Sequence, residues 1–352
     1  MLGAHMEKIL EQRAAPAEIG PSLPAAQERA PGRRGEISLS DMRCPVCKGG
    51  LFRRGRACAC DGCAAAFPIA RGVPILIDES RSAYRLADCA ASVEGLERPA
   101  PWTRRLRERV QGWLPAGGKN FAAGDNLAAF ARQLRQESER PRVLVLGGAR
   151  LGAGCEALAE DPAFELVECD VLFGPRTSVV CDAHQIPFAD ATFDAVVAQG
   201  VFEYLKNPFG VAAEIHRVLR PRGLVYVESP FLQHVHGGGQ DLFRYTPAGH
   251  RLVFRQFEEV RSGMTAGPGT VLSWSCRYFL RSFADRAATR FLADIAASLT
   301  TSWLWRFDRF LVQRPSALSA ASGVYFMGRR SDVTLTDREL LEMYRGPGVM
   351  GY

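Results

Sequence analysis

Two cysteine pairs carry the clearest chemistry in the chain. Cys44-Pro-Val-Cys47 and Cys60-Asp-Gly-Cys63 are CxxC pairs with twelve residues between them. Two knuckles at that spacing can place four thiolates tetrahedrally around one Zn2+, and four cysteines leave no open ligand position, so such a metal is structural. A redox CxxC needs one pair, not two. Gly49, Gly50 and Gly62 are read as giving the knuckle turns their backbone freedom, and Cys58 as a spectator. A second polar cluster lies far downstream, in the run from Glu228 to Thr246. It holds His234, His236, Asp241, Arg244 and Tyr245. An imidazole oriented by a carboxylate is the arrangement of a general base, which makes His234 or His236 the candidate base and Asp241 and Arg244 its orienting groups. The same HxH and carboxylate have the donors for a metal. A loop merely held together by these side chains is the plain alternative.

The elements that position these residues follow from the apolar pattern. Arg142–Leu146 (RVLVL) is a short buried-strand run that ends at Gly147 and Gly148. Further runs at 164–169, 178–181, 193–198 and 223–229 alternate with helical stretches, notably Pro208–Leu219. Leu127, Phe130, Ala131 and Leu134 recur at helical spacing ahead of them. Such alternation means an α/β fold, a parallel sheet with helices on both faces. The turn from Gly147 to Gly154 then opens a helix, where free backbone N–H groups can bind a charged cofactor. Alone, that turn is shared by many doubly wound folds.

The residues after it narrow the choice. The stretch from Cys181 to Val197, then Gly200-Val201-Phe202-Glu203-Tyr204-Leu205, then Glu214 to Leu224, resembles the class I S-adenosylmethionine-dependent methyltransferases, nearest the relatives of the ubiquinone C-methylating enzymes. The likeness covers about 125–265 and a final strand near 323–329. It implies a Rossmann-like doubly wound sheet with an antiparallel last strand. It also implies roles. Gly147, Gly148 and Gly152 let the backbone approach the cofactor; Asp170 accepts from ribose hydroxyls; Asp182 and Ala183 read adenine; Gln199 and Gly200 line the methyl-transfer position. Tyr204 stands where the family often has a histidine, and joins the catalytic candidates. Val145 replaces the family's first-strand acid, and Ala149 and Leu151 alter its glycine pattern. A nicotinamide dehydrogenase, the competing doubly wound reading, uses an acid such as Asp170 but leaves the Cys181–Leu224 likeness unexplained. Separately, Cys44 to Asp78 resembles the zinc ribbon of the small activator subunit of certain tRNA and translation-factor methyltransferases. In such a module the metal drives folding.

Composition sets the outer limits. The formal charge is +6, yet the basic residues are scattered among acids and only four of 44 are lysine, which disfavours nucleic acid as a partner. No apolar run reaches the roughly 18 residues of a membrane span. Scattered cysteines without a secretion signal point to a reducing cytoplasm. The expected organisation is a flexible arm at 1–40, the zinc ribbon at 41–79, a linker at 80–120 with a helix at Trp102–Trp113, the methyltransferase domain at 121–330 and a tail at 331–352. A helical insertion at 270–315 is rich in aromatics and arginines. It reads as a lid over the acceptor, a homodimer surface or plain packing, with membrane partners disfavoured but association with a membrane surface left open. His184 and His216 are read as structural. The leading expectation is O- or N-methylation of a small biosynthetic metabolite. Methylation of tRNA or protein with the ribbon as docking module, and a non-catalytic binding protein with this fold, are the alternatives.

Overall fold

The computed structural model describes residues 38–95 and 118–346. Most of the expected arm and the expected Trp102–Trp113 helix lie outside the described residues. The strands are β1 (Leu51–Arg54), β2 (Ala57–Cys60), β3 (Ala66–Ala70), β4 (Val73–Leu76), β5 (Arg142–Leu146), β6 (Glu165–Asp170), β7 (Val179–Cys181), β8 (Phe193–Gln199), β9 (Leu219–Pro230), β10 (Phe257–Ala266) and β11 (Gly323–Arg330). The helices are α1 (Leu86–Gly95), α2 (Ala123–Glu137), α3 (Glu156–Ala159), α4 (Pro208–Val218), α5 (Pro247–Val253), α6 (Pro268–Arg281), α7 (Ala287–Thr301), α8 (Asp308–Leu311) and α9 (Asp337–Glu342).

All eleven strands form one sheet in the order β1-β2-β3-β4-β7-β6-β5-β8-β9-β11-β10. Strands β7, β6, β5, β8 and β9 run parallel. β11 lies antiparallel between β9 and β10, as expected for the last strand. The strand order reverses beside β5, and the crevice beyond the carboxyl ends of β5 and β8 is where such sheets bind ligands.

Period-two alternation explains why these strands read as unbroken apolar runs. Leu144, Val167, Val196 and Val225 pack on one face with Val211 and Ile215 of α4. Val143, Leu166, Ala195 and Leu224 pack on the other with Leu127, Phe130 and Leu134 of α2. Both faces are covered, so both sets are apolar. α4 starts with Pro208 behind Asn207, whose side chain accepts from the Gly210 N–H, a pre-formed helix start.

The cysteine module is part of this sheet rather than a satellite of it. β4 pairs parallel with β7, Ile75 beside Val180 and Leu76 beside Cys181. A parallel connection ordinarily needs a dozen or more residues, usually as a helix. Between β6 and β7 there are only residues 171–178, without a helix. α1, which follows the module, covers that bare face. Its Ser92 Oγ accepts from the Phe173 N–H at 3.1 Å, and its Cys89 packs with Phe173, Val180, Ile75 and Ile77. On the other side Arg43 N–H donates to the Pro187 carbonyl, Lys48 pairs with Glu214 and Asp41 with Arg142.

Candidate functional site

The four Sγ atoms of Cys44, Cys47, Cys60 and Cys63 lie within 4.8 Å of one another. The Cys44–Cys63 and Cys47–Cys60 separations are 3.7 and 3.4 Å. A tetrahedron with Zn–S bonds of 2.3 Å has S···S edges of about 3.8 Å, so the donor set fits zinc. Backbone N–H groups of Gly49 and Gly62 point at Cys47 Sγ and Cys60 Sγ, 3.4 and 3.3 Å away, and would support thiolates. One expectation is corrected here. The left-handed residue of the first knuckle is Lys48, at φ 62°, and none of Gly49, Gly50 and Gly62 is left-handed. Glycine is needed at 49 and 50 for space: an added Cβ at Gly49 would sit 3.1 Å from Cys60 Sγ, and one at Gly50 2.6 Å from Asp61 Oδ2. Cys58 is buried outside the four-sulfur cluster.

The glycine turn follows β5. Gly147 is left-handed, at φ 73°. Ala149 N–H donates to Asp170 Oδ2 at 3.2 Å, so the carboxylate ending β6 reaches the turn. Asp182 stands after β7, one strand further out. Both carboxylates act on the Cys89 thiol under α1, which is pushed up to about 12 by burial first and then by charges that include Asp182 and Asp170. Asp182 is heavily engaged. Its Oδ1 accepts from the His184 N–H and ring Nδ1, and its Oδ2 from Ser82 Oγ at 2.5 Å. Burial opposes its charge, but the hydrogen bonds from His184 and Ser82 hold its pKa below the ordinary 3.8. Of its four lone-pair positions one remains. His184 passes the contact on, its Nε2 accepting from the Asn207 N–H, which fits the structural role read for it. The Nε2 of His216 meets the Ser331 carbonyl.

Gln199, at the end of β8, folds over the turn. Its Nε2 donates to the Ala153 carbonyl, and its Oε1 would lie 2.2 Å from a Cβ added at Gly152. Gly148 backs onto Glu168, where a Cβ would meet the Glu168 Cβ at 2.8 Å. Gly200 is left-handed, at φ 64°. A cavity of about 480 Å³ opens beside Asp182, His184 and Tyr204, between the connection from the ribbon to α1 (Arg81, Tyr84) and the loop at Gln240 and Leu242. Ala183 begins the short turn that runs along it.

The polar loop after β9 is held by a clasp. Arg244 forks onto Asp241 through both terminal nitrogens, with Nη2 2.7 Å from Oδ2. It also donates to the carbonyls of Gln233 and His234. Asp241 accepts the His236 N–H at 2.9 Å, and Arg244 holds its pKa down to about 2 against the effect of burial. The two histidines differ. His234 stacks on Tyr278 of α6, ring centroids 4.3 Å apart. Its Nδ1 is buried without a partner, and burial and Arg244 push its pKa below the ordinary 6.5. His236 lies edge-on to Tyr204, with Nδ1 3.1 Å from the His234 carbonyl and Nε2 3.8 Å from Glu203 Oε1. Burial disfavours its charged form, but Glu203, the carbonyl and Asp241 outweigh that and raise its pKa above 6.5.

Two carboxylates had not been singled out. Glu203 is 3% exposed, one of its oxygens has no hydrogen-bond partner, and the other lies 3.5 Å from a Cβ placed at Gly200. It therefore joins His236 to the carboxyl end of β8. Glu228, opposite Gln199 in β9, accepts from Tyr226 and Asn120 at 2.5 and 2.9 Å and is raised above the usual carboxylate range, mainly by burial. The signal was available: an acid inside a predicted buried strand needs partners.

Sheet order, glycine turn and strand-end acids define a doubly wound α/β domain of the cofactor-binding class. Residues 145–227 match the family described as Methyltransferase domain. A 44-residue stretch is 46% identical to the ubiquinone/menaquinone biosynthesis C-methyltransferase UbiE of Desulfotalea psychrophila, over 12% of this chain and 18% of that protein. The match thus spans less than a fifth of that relative's length. Among solved structures, the [4+2]-cyclase SpnF is 18% identical, with a TM-score of 0.38 over 59% of this chain and 80% of that one. The complex between the Haloferax volcanii Trm112 methyltransferase activator and a methyltransferase is 18% identical, with a TM-score of 0.37 over 60% and 95% of the two chains. Among the described residues no helix is long and apolar enough to cross a membrane.

Proposed function

We propose that the chain is an S-adenosylmethionine-dependent methyltransferase that methylates an oxygen or nitrogen of a small biosynthetic metabolite. The observation that carries this reading is the methyltransferase domain at 145–227, whose glycine turn is hydrogen-bonded to the acid ending the next strand. Bound S-adenosylmethionine would supply a methyl group already activated on a sulfonium, so the protein has mainly to align the acceptor and accept a proton. Gly147, Gly148 and Gly152 would admit the cofactor close to the backbone. Asp170 would hold the ribose hydroxyls, Asp182 with its remaining lone pair and Ala183 the adenine, and Gln199 and Gly200 would line the transfer position. Zinc held by Cys44, Cys47, Cys60 and Cys63 would fix the ribbon and, through β4, the edge of the sheet.

His236 is the better base of the two histidines. Its Nδ1 faces a carbonyl, which leaves Nε2 as the basic nitrogen, and Glu203 stabilises the imidazolium that forms. Tyr204 sets the ring edge-on, and the Asp241–Arg244 clasp fixes the backbone that carries it. His234, stacked on Tyr278, would meet the acceptor as a neutral ring. The reading as a non-catalytic binding protein has one observation in its favour: Asp182 already serves Ser82 and His184. The test is transfer of labelled methyl from S-adenosylmethionine to fractionated cell extract. Label in a low-mass product supports the proposal, label in tRNA or protein moves the acceptor class, and no transfer to any fraction supports the binding protein.

A further inference from the structure

α6 and α7 pack on each other as a helical hairpin, and each carries a second apolar stripe turned away from the core. On α6 and its continuation the stripe is Leu272, Cys276, Phe279 and Phe283; on α7 it is Leu292, Ala296, Leu299 and Trp303, followed by Phe307 and Phe310. The spacing is four, three, four in both, so each set lies along one helix face. The large members are open to solvent, from Trp303 at 51% to Phe283 at 76% exposed. Phe279 touches Phe283, and Trp303 touches Phe307. At ~200 Å² per large side chain, the α6 stripe leaves about 400 Å² uncovered and the α7 stripe with the segment after it about 550 Å², each the size of the largest patch on a typical monomer (~300–600 Å²).

Charge identifies what covers this face. Between 268 and 315 two acids are buried: Asp294 inside the hairpin, where it holds Arg277 and Arg281, and Asp308 at the start of α8, where it caps the start of α6. That leaves Arg286, Arg290, Arg306, Arg309 and Arg314 exposed on the same segment, none with a carboxylate partner among the described residues, against the exposed Asp285. A twofold pairing of this face with a second copy would set the arginines against one another. An anionic bilayer matches both features, with aromatic and leucine side chains entering the headgroup boundary and arginines on the phosphates.

We infer that the α6–α7 hairpin is a docking surface for an anionic lipid bilayer, on which the protein lies without spanning it. Tyr278, on the same hairpin, stacks on His234 and reaches the Val235 carbonyl. That contact lies on the inward side of α6, so the docking face is set by the outward stripe and the polar loop after β9 stays on the protein side of the helix. This inference stands whether or not the chain transfers methyl groups.

The test is co-sedimentation of the full, metal-loaded chain with vesicles of phosphatidylcholine alone or mixed with phosphatidylglycerol. Binding to the mixed vesicles is expected, weakening with added salt. The double variant Phe279→Ser/Phe283→Ser should bind at least ~10-fold more weakly, since each exposed ring contributes roughly that factor when buried. Arg306→Gln/Arg309→Gln should lose preference for the anionic vesicles by about five-fold per arginine. All four positions are exposed, and an unchanged thermal melt controls for folding. No binding to either vesicle, or equal binding by the phenylalanine variant, overturns the inference. A stable dimer that dissociates in the phenylalanine variant also overturns it and assigns the face to a second copy.

Discussion

If the four cysteines hold zinc as proposed, removing it should loosen the parallel sheet as well as the ribbon. β4 leaves the cysteine module and runs as the neighbour of β7, and Ile75, Leu76 and Ile77 are no more than 1% exposed. Fully burying such a side chain is worth about 1.5–3 kcal/mol, so stripping β4 from the sheet would expose ~5–9 kcal/mol of apolar burial, an upper bound. A whole domain is stable by only about 5–15 kcal/mol. The cover that α1 lends to the short β6–β7 connection would go with it. The assay is hydrogen exchange read by mass spectrometry, with and without chelator. Protection across residues 165–181 should fall together with that of residues 44–63. Ile75→Ala makes the same cut without touching the thiols and should cost about 2–5 kcal/mol. If metal removal deprotects the ribbon while β6 and β7 keep their full protection, the module is a separate unit and the reasoning fails.

Other consequences are as specific. His236 is raised above 6.5 and must be neutral to accept a proton, so kcat/KM should climb with pH through a value above 6.5. Glu203→Gln should move that limb to lower pH, and His236→Ala should abolish it; an unmoved limb in both assigns the proton elsewhere. The paired imidazolium adds stability below pH 6.5 that is lost as pH rises through the raised value. Ser82→Ala should cost about 1.5–3 kcal/mol, since it removes a hydrogen bond to a buried carboxylate. Asp182 titrates below 3.8, so that difference from the parent chain should persist at neutral pH and shrink as pH falls through the depressed value; chemical denaturation at pH 7 and pH 3 reads both. Gly152→Ala drives a methyl into Gln199 and should weaken cofactor binding, measured by calorimetry.

What the sequence disclosed and what it hid have physical reasons. The buried parallel strands were legible because both faces are covered and their residues are apolar throughout, and the glycine turn because Gly147 must be left-handed. β10 was missed: Glu258, Glu259 and Arg261 break its apolar pattern, because much of this edge strand faces solvent. The union of ribbon and domain was also hidden, since VPIL reads the same whether β4 ends a free module or extends a larger sheet. α1 carried a signal in Leu86, Cys89 and Ala90, masked by the prolines that follow it at 99 and 101. At the site, residue types suggested a base but not which histidine. Their surroundings differ, Glu203 lying against His236 and Tyr278 against His234, and the proposal of His236 as the base rests on that difference. Nothing local in the sequence could show that Ser82 reaches Asp182, a hundred positions away.

The central claim is that the turn at Gly147 and the carboxylate of Asp170 form a binding site for S-adenosylmethionine. Calorimetric titration of the metal-loaded chain and of its Asp170→Ala variant tests it most directly. Saturable binding by the parent chain, weakened at least ~10-fold in the variant by loss of hydrogen bonds to a charged group, is the expected result. No heat of binding in the parent chain, or equal affinity in the two proteins, would contradict it.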